Sequence, residues 1–198
     1  MVTVSTLKVE QRAYHHGDLR AALVAAGLQA VESTDIADIS LRGLAREVGV
    51  SATAVYRHFP DKRALLEAMA QEGLAQLGQM QQQAAMAAGG QAFSATGRAY
   101  VRFALANPGL FRLIFTHCDV RKDGLPEGNL AAAMLLESAA RIAAKIGDGD
   151  AEAARRIAIQ AWALAHGLAM LMLDGQLPAD EALIDRVMDG QSMWQAGC

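Results

Sequence analysis

Cysteine is nearly missing from this 198-residue chain, which has only Cys118 and Cys198. Neither stands at metal-ligand spacing, so a disulfide framework is not the expected source of stability, and a reducing, cytoplasmic setting is expected. Aromatic residues make up 5% of the sequence, and the β-branched runs that nucleate strands are almost lacking, which argues against a sheet. No charged-then-apolar leader opens the chain, so no signal peptide is expected. Long apolar runs are scarce as well. The longest, 157–173, is interrupted by Gln160 and His166 and falls short of the roughly 20 residues a bilayer span needs, so a buried helix and no membrane partner are expected. There is no nucleophile elbow, no Gly-rich phosphate loop, no pair of carboxylates at useful helical spacing and no metal motif. The chain is therefore not expected to be an enzyme, and neither a cofactor nor a metal is expected.

What the chain does have is a 53% hydrophobic content dominated by alanine, leucine and methionine, ample for a core. An all-α fold of about nine helices is the expectation. The net charge of −3 is unevenly placed: through Leu65 there are eight Lys/Arg against seven Asp/Glu, and beyond it ten against fourteen. His15, His16 and His58 also lie in the first stretch, where a polyanion would favour their protonation. An acidic body thus carries a head able to face nucleic acid.

Residues 1–13 read as a polar, flexible arm. Helix one is expected over 16–32, with Leu19, Ala22, Leu23, Ala26 and Ala30 on one face. Ser40 stands as N-cap for a short second helix, Gly49 supplies a tight turn, and Ser51 caps a third helix running to about Phe59. Pro60 breaks the chain, and Asp61 caps a long fourth helix that closes at Gly89 and Gly90. Five further helices are expected over 92–106, 108–116, 128–146, 150–174 and 179–194, with a charged loop, lid or simple connection, across 116–128. The division predicted is a helix-turn-helix DNA-binding domain over 14–60 and an effector-binding and dimerisation domain, a helical bundle, over 61–198.

The informative segment is 40–66, SLRGLAREVGVSATAVYRHFPDKRALL. Ala45 is small where two helices must approach closely, and Leu44, Val50 and Val55 hold the pair against helix one. Ala52, Thr53, Tyr56 and Arg57 then face outward, with hydroxyls, a guanidinium and small apolar surfaces suited to base edges in a major groove. Arg42, Ser51, His58 and Lys62 complete the predicted DNA-binding set, with Arg42, His58 and Lys62 suited to phosphates.

This order of residues resembles the TetR family of bacterial regulators over 15–66, and VSATAVYRHFPDKRALL is very similar to that family's recognition-helix signature. The resemblance implies that Arg42 contacts DNA at the first turn of helix two, that Ala52, Thr53 and Tyr56 face bases or nearby phosphates, and that His58 and Lys62 grip the backbone. Ala54 departs from the family, where a hydroxyl is common, and one phosphate contact is in doubt there. Tyr14 to Arg20, together with Trp162 and the His166-Gly167 pair, resembles the subgroup named for a Trp-His-Gly C-terminal domain. Function is then expected to be ligand-responsive DNA-binding regulation, most simply by a repressor. An activator of the same fold is a second reading, and a helical small-molecule carrier or enzyme is a third.

The body should hold an effector pocket. Tyr100, Phe103, Phe111, Phe115, Met134, Trp162, His166 and Met170 are the predicted lining, suited to a small apolar or aromatic effector, although each such residue is also ordinary core. Soft-metal or oxidant sensing by His117, Cys118 or His166 has no ligand spacing behind it. Helix eight is apolar nearly all round and needs cover on two sides, so a homodimer through the last two helices is expected. Two-fold symmetry then predicts a palindromic operator in double-stranded DNA.

Overall fold

The computed structural model describes residues 18–117, 129–147 and 149–189. The sequence readings of residues 1–17, of Cys118 and the loop up to 128, and of 190–198 lie outside these. Among the described residues there are nine α-helices and no strand.

Seven of the helices open on a short polar side chain that accepts from a backbone N–H of the first turn, which satisfies a donor the helix itself leaves unpaired. They are α1 (Leu19–Ala30, cap Asp18), α2 (Leu41–Val48, cap Ser40), α3 (Ala52–Tyr56, cap Ser51) and α4 (Lys62–Ala87, cap Asp61) in the first half. In the second half they are α7 (Leu130–Lys145, cap Asn129), α8 (Ala151–Leu173, cap Asp150) and α9 (Glu181–Met188, cap Asp180). A single 3-10 turn, Gly89–Gln91, leads into α5 (Ala92–Ala106).

The remaining helix, α6 (Pro108–His117), is capped from a distance. Its first residue is a proline, preset for that position. The carboxylate of Glu32, just past the end of α1, accepts from the amides of Gly109 (3.2 Å) and Leu110 (2.9 Å). Gly109 is required there because a Cβ would lie 2.2 Å from the carbonyl oxygen of Val31. The head is thereby seated directly on the body.

α4 is the central rod. It packs on α1 in the head and on α5, α6 and α7 in the body, while α8 packs between α5 and α7 and α9 rests on α5. One apolar core runs from Leu23 and Val55 through Leu65, Met69 and Leu77 to Phe111, Met172 and Ile184, and a satellite cluster sits between α7 and α8 around Ala139 and Ile157. α8 is 23 residues long and, by length and composition, apolar enough to cross a membrane, because the helix begins six residues before the apolar run counted in the sequence. Glu152, Arg155 and Arg156 occupy those added turns, and the helix is packed into the bundle.

Two boundaries differ from the sequence reading. α3 stops at Tyr56, not near Phe59, because Phe59 turns into the core at 1% exposure and Pro60 follows it. α9 ends at Met188, where Asp189 takes an extended conformation, and the rest of the expected helix, 190–194, lies outside the described residues.

Candidate nucleic-acid interface and core cavity

The turn between α2 and α3 is fixed by local chemistry. Ser40 Oγ accepts from the Gly43 amide at 3.0 Å and starts α2. At its end Gly49 adopts a left-handed φ of 78°, and the Val50 amide reaches back to the Ala45 carbonyl at 2.9 Å, a closure that needs glycine's freedom. Ser51 Oγ then accepts from the Ala54 amide at 3.2 Å and starts α3 almost at once. Only one side of so short a helix can be buried. Val55 is that side, fully enclosed, and Phe59 just beyond it is covered by the Arg20 guanidinium, 5.4 Å from the ring centroid.

The opposite side is open. Ser51, Thr53, Tyr56, Arg57 and His58 are exposed and Ala52 is half-buried; the Tyr56 side chain stands 46% exposed, an unusual place for a large ring unless it meets a partner. Arg42 is exposed on the first turn of α2, and Arg46, which the sequence reading passed over, is exposed on its last turn. Lys62 is half-buried at the start of α4, with Nζ donating to the Ala37 carbonyl at 2.7 Å, so it braces the loop between α1 and α2 and keeps two further N–H donors.

In the body a cavity of about 90 Å³ lies among α4, α5, α6, α7, α8 and α9. Of the eight predicted lining residues, Tyr100, Phe115, Met134 and Trp162 border it. Phe103 and Phe111 are core, and His166 and Met170 are partly buried in contact with the core; these four lie outside the lining. The lining also includes Leu74, Leu77 and Gln81 from α4 and Val187 and Met188 from α9. A signal for Gln81 was present in the sequence: it continues the stripe of Leu74 and Leu77 at helical spacing. Among the described residues no charged side chain lines the space.

Tyr100, Phe115 and Trp162 on the lining join Phe111 and His166 behind them in an aromatic cluster of edge-to-face, tilted and stacked pairs, with Phe115 and His166 centroids 4.7 Å apart. Trp162 and His166, one turn apart on α8, converge on one hydroxyl. Trp162 Nε1 donates to the Tyr100 hydroxyl oxygen at 3.2 Å, and that hydroxyl lies 2.9 Å from His166 Nδ1. Burial pushes the Tyr100 phenol up, with the Trp162 bond opposing it in part, and burial lowers His166 below the ordinary imidazole value. A protonated phenol donating to a neutral imidazole is the arrangement both shifts favour. His117, on the last turn of α6, has a buried Nδ1 without a hydrogen-bond partner among the described residues.

Comparison with known proteins covers both halves. Residues 22–69 match the family described as "Bacterial regulatory proteins, tetR family", and residues 93–191 match "Tetracyclin repressor-like, C-terminal domain". A solved structure of a protein with unknown function from Rhodococcus sp. RHA1 is 33% identical, with 93% of this chain and 98% of that one covered and a TM-score of 0.72. TetR from Acinetobacter baumannii AYE shares the fold at 17% identity and a TM-score of 0.56, with 88% of this chain and 96% of that one covered.

Proposed function

Since the chain belongs to the TetR family of bacterial regulators, we propose that it is a cytoplasmic, homodimeric repressor released from a palindromic operator by a small apolar or aromatic effector. The observation that carries this reading is the outward side of α3. Thr53 and Tyr56 are exposed while Val55 on the other side anchors the helix, so the core alone does not account for a large ring at 56. In a major groove that ring and hydroxyl, with the Arg57 guanidinium, meet base edges, and Arg42, His58 and Lys62 meet phosphates. We extend the family assignment to the Trp-His-Gly subgroup on the strength of the Trp162 and His166 convergence at Tyr100.

The dimer reading rests on α8. Ile159, Ala163, Gly167 and Leu171 follow one another at four-residue spacing, Ile159 and Leu171 are 41% and 45% exposed, and the small residues between them permit close approach of a second copy. Two recognition helices related by a two-fold axis would meet successive major grooves about 34 Å apart. The cavity supports the effector half of the reading, because its walls are apolar and uncharged.

The test is selection of bound DNA from a random pool, followed by gel shift on the recovered sites. Inverted half-sites centred about ten base pairs apart are expected; recovery of no preferred sequence would remove the reading. Reporter output with and without the protein then gives the sign of regulation.

A further inference from the structure

We infer that the ligand this cavity takes is an uncharged, single-ring compound bearing a hydrogen-bond donor, recognised by Gln81 Oε1. The inference rests on the effector reading above and narrows it to a chemical class.

The polar groups around the cavity are few, and most of them are already engaged. The Tyr100 hydroxyl lies between Trp162 and His166. Thr96 Oγ1 donates to the Phe93 carbonyl at 2.7 Å, and Asn129 Oδ1 accepts from the Ala132 amide at 2.8 Å. Gln81 is different, since its two amide atoms have opposite fates. Nε2 donates to the Thr96 carbonyl at 3.2 Å, which fixes the orientation of the carboxamide. Oε1 is buried with no hydrogen-bond partner among the described residues.

A buried acceptor left unpaired is costly, and a guest that supplies a donor recovers that cost on binding. A guest offering only acceptors leaves the Gln81 oxygen unpaired and gains nothing from it. Charge is disfavoured because no ionised side chain in the lining would compensate its desolvation. Size follows from the volume: about 90 Å³ is below the roughly 150 Å³ that holds benzene in a rigid apolar cavity. The space is partly open, so a single ring is enclosed in full only if a wall yields. Met134 and Met188, unbranched and flexible, are the lining side chains suited to yield.

Phenol and toluene separate the possibilities, since they match in size and differ in the donor. Titration calorimetry on the full chain should give phenol the lower Kd by about tenfold, although toluene is the more hydrophobic. In Gln81→Leu the order should reverse. Far-UV dichroism and Tm check that variant's fold; Gln81→Met serves as a second replacement. Toluene binding the parent as tightly as phenol, or a phenol preference that survives both replacements, would overturn the donor rule while leaving the cavity as a ligand site. Binding of neither compound would overturn the cavity assignment itself. A phenol preference without any effect on gel shifts of selected DNA would uphold the donor rule and remove the effector reading.

Discussion

Replacing Gly109 by alanine should destabilise this protein, although the same change at an ordinary helical position helps by about 0.5–1 kcal/mol. The reason lies at the seat of the head on the body. A Cβ at 109 would sit 2.2 Å from the Val31 carbonyl oxygen and 3.0 Å from its carbon, both backbone atoms that no rotamer change can move aside. Ordinary contact needs roughly 1 Å more, so α6 and the end of α1 must part. That separation strains the Glu32 bonds to the Gly109 and Leu110 amides, now 3.2 and 2.9 Å long. Overpacking of this kind costs about 1–3 kcal/mol, and with the helix-propensity gain set against the weakened cap the net loss should be about 2 kcal/mol. For a chain of this size that corresponds to a Tm lower by about 4–8 °C in scanning calorimetry. Gly90→Ala, where a Cβ meets nothing within 4 Å, is the control and should change stability by less than about 0.5 kcal/mol. Gly109→Ala with a Tm at or above the parent's would refute the argument that backbone contact joins the two halves here.

Three further outcomes are expected. Tyr56→Ala should abolish specific DNA binding in gel shifts with at most a small loss of stability, because the residue is 46% exposed; a stability loss like that of a core truncation, about 3–5 kcal/mol, would show the orientation to be wrong. The double change Ile159→Glu and Leu171→Glu should yield monomers in sedimentation and weaken operator binding, whereas an intact dimer would move the interface off α8. His166 is held below the ordinary imidazole value by burial, so its contribution to stability is complete above about pH 6.5 and is lost as pH falls below that, when the unfolded chain takes up the proton first. Tm measured between about pH 8 and about pH 5 should therefore drop more steeply in the parent than in His166→Gln, and equal slopes would count against the burial of a neutral ring.

Helix starts were legible in the sequence because each depends on one local bond: Ser40, Ser51, Asp61 and Asp150 are short polar residues at the edges of apolar stripes, and each accepts from an amide three residues on. The outward set on α3 was legible for the same reason, since one buried valine settles which side of a five-residue helix faces out. The cap of α6 was not, because Glu32 lies 77 residues from Gly109 in the chain and nothing local announces the pairing. The cavity was half legible. Aromatic and methionine residues at helical spacing look alike whether they fill a core or line a space, and here Phe103 and Phe111 fill while Phe115 and Trp162 line. Gln81 stood in register with Leu74 and Leu77, but the polar stretch around it masked that stripe, and its bond to the Thr96 carbonyl depends on a neighbouring helix.

In the repressor reading, coupling between the two proposed sites would run through α4, which borders both. Its first turn is fastened in the head by the Asp61 cap and by Lys62 on the Ala37 carbonyl, and about three to five turns beyond, Leu74, Leu77 and Gln81 border the cavity. From Lys62 to Gln81 the rod is roughly 28 Å long at ~1.5 Å per residue, so a tilt of about 5° at the cavity end carries the other end some ~2.5 Å. The Glu32 seat on α6 opposes that motion at the level of α1, which makes the head a lever with a second point of attachment. In the repressor reading, a ligand that wedges α4 away from α5 must therefore either strain the Glu32 bonds or carry α6 along with it. Glu32→Ala distinguishes the two: if the seat resists, the variant should release DNA at lower ligand concentration than the parent, and if α6 travels with α4, the two should release alike.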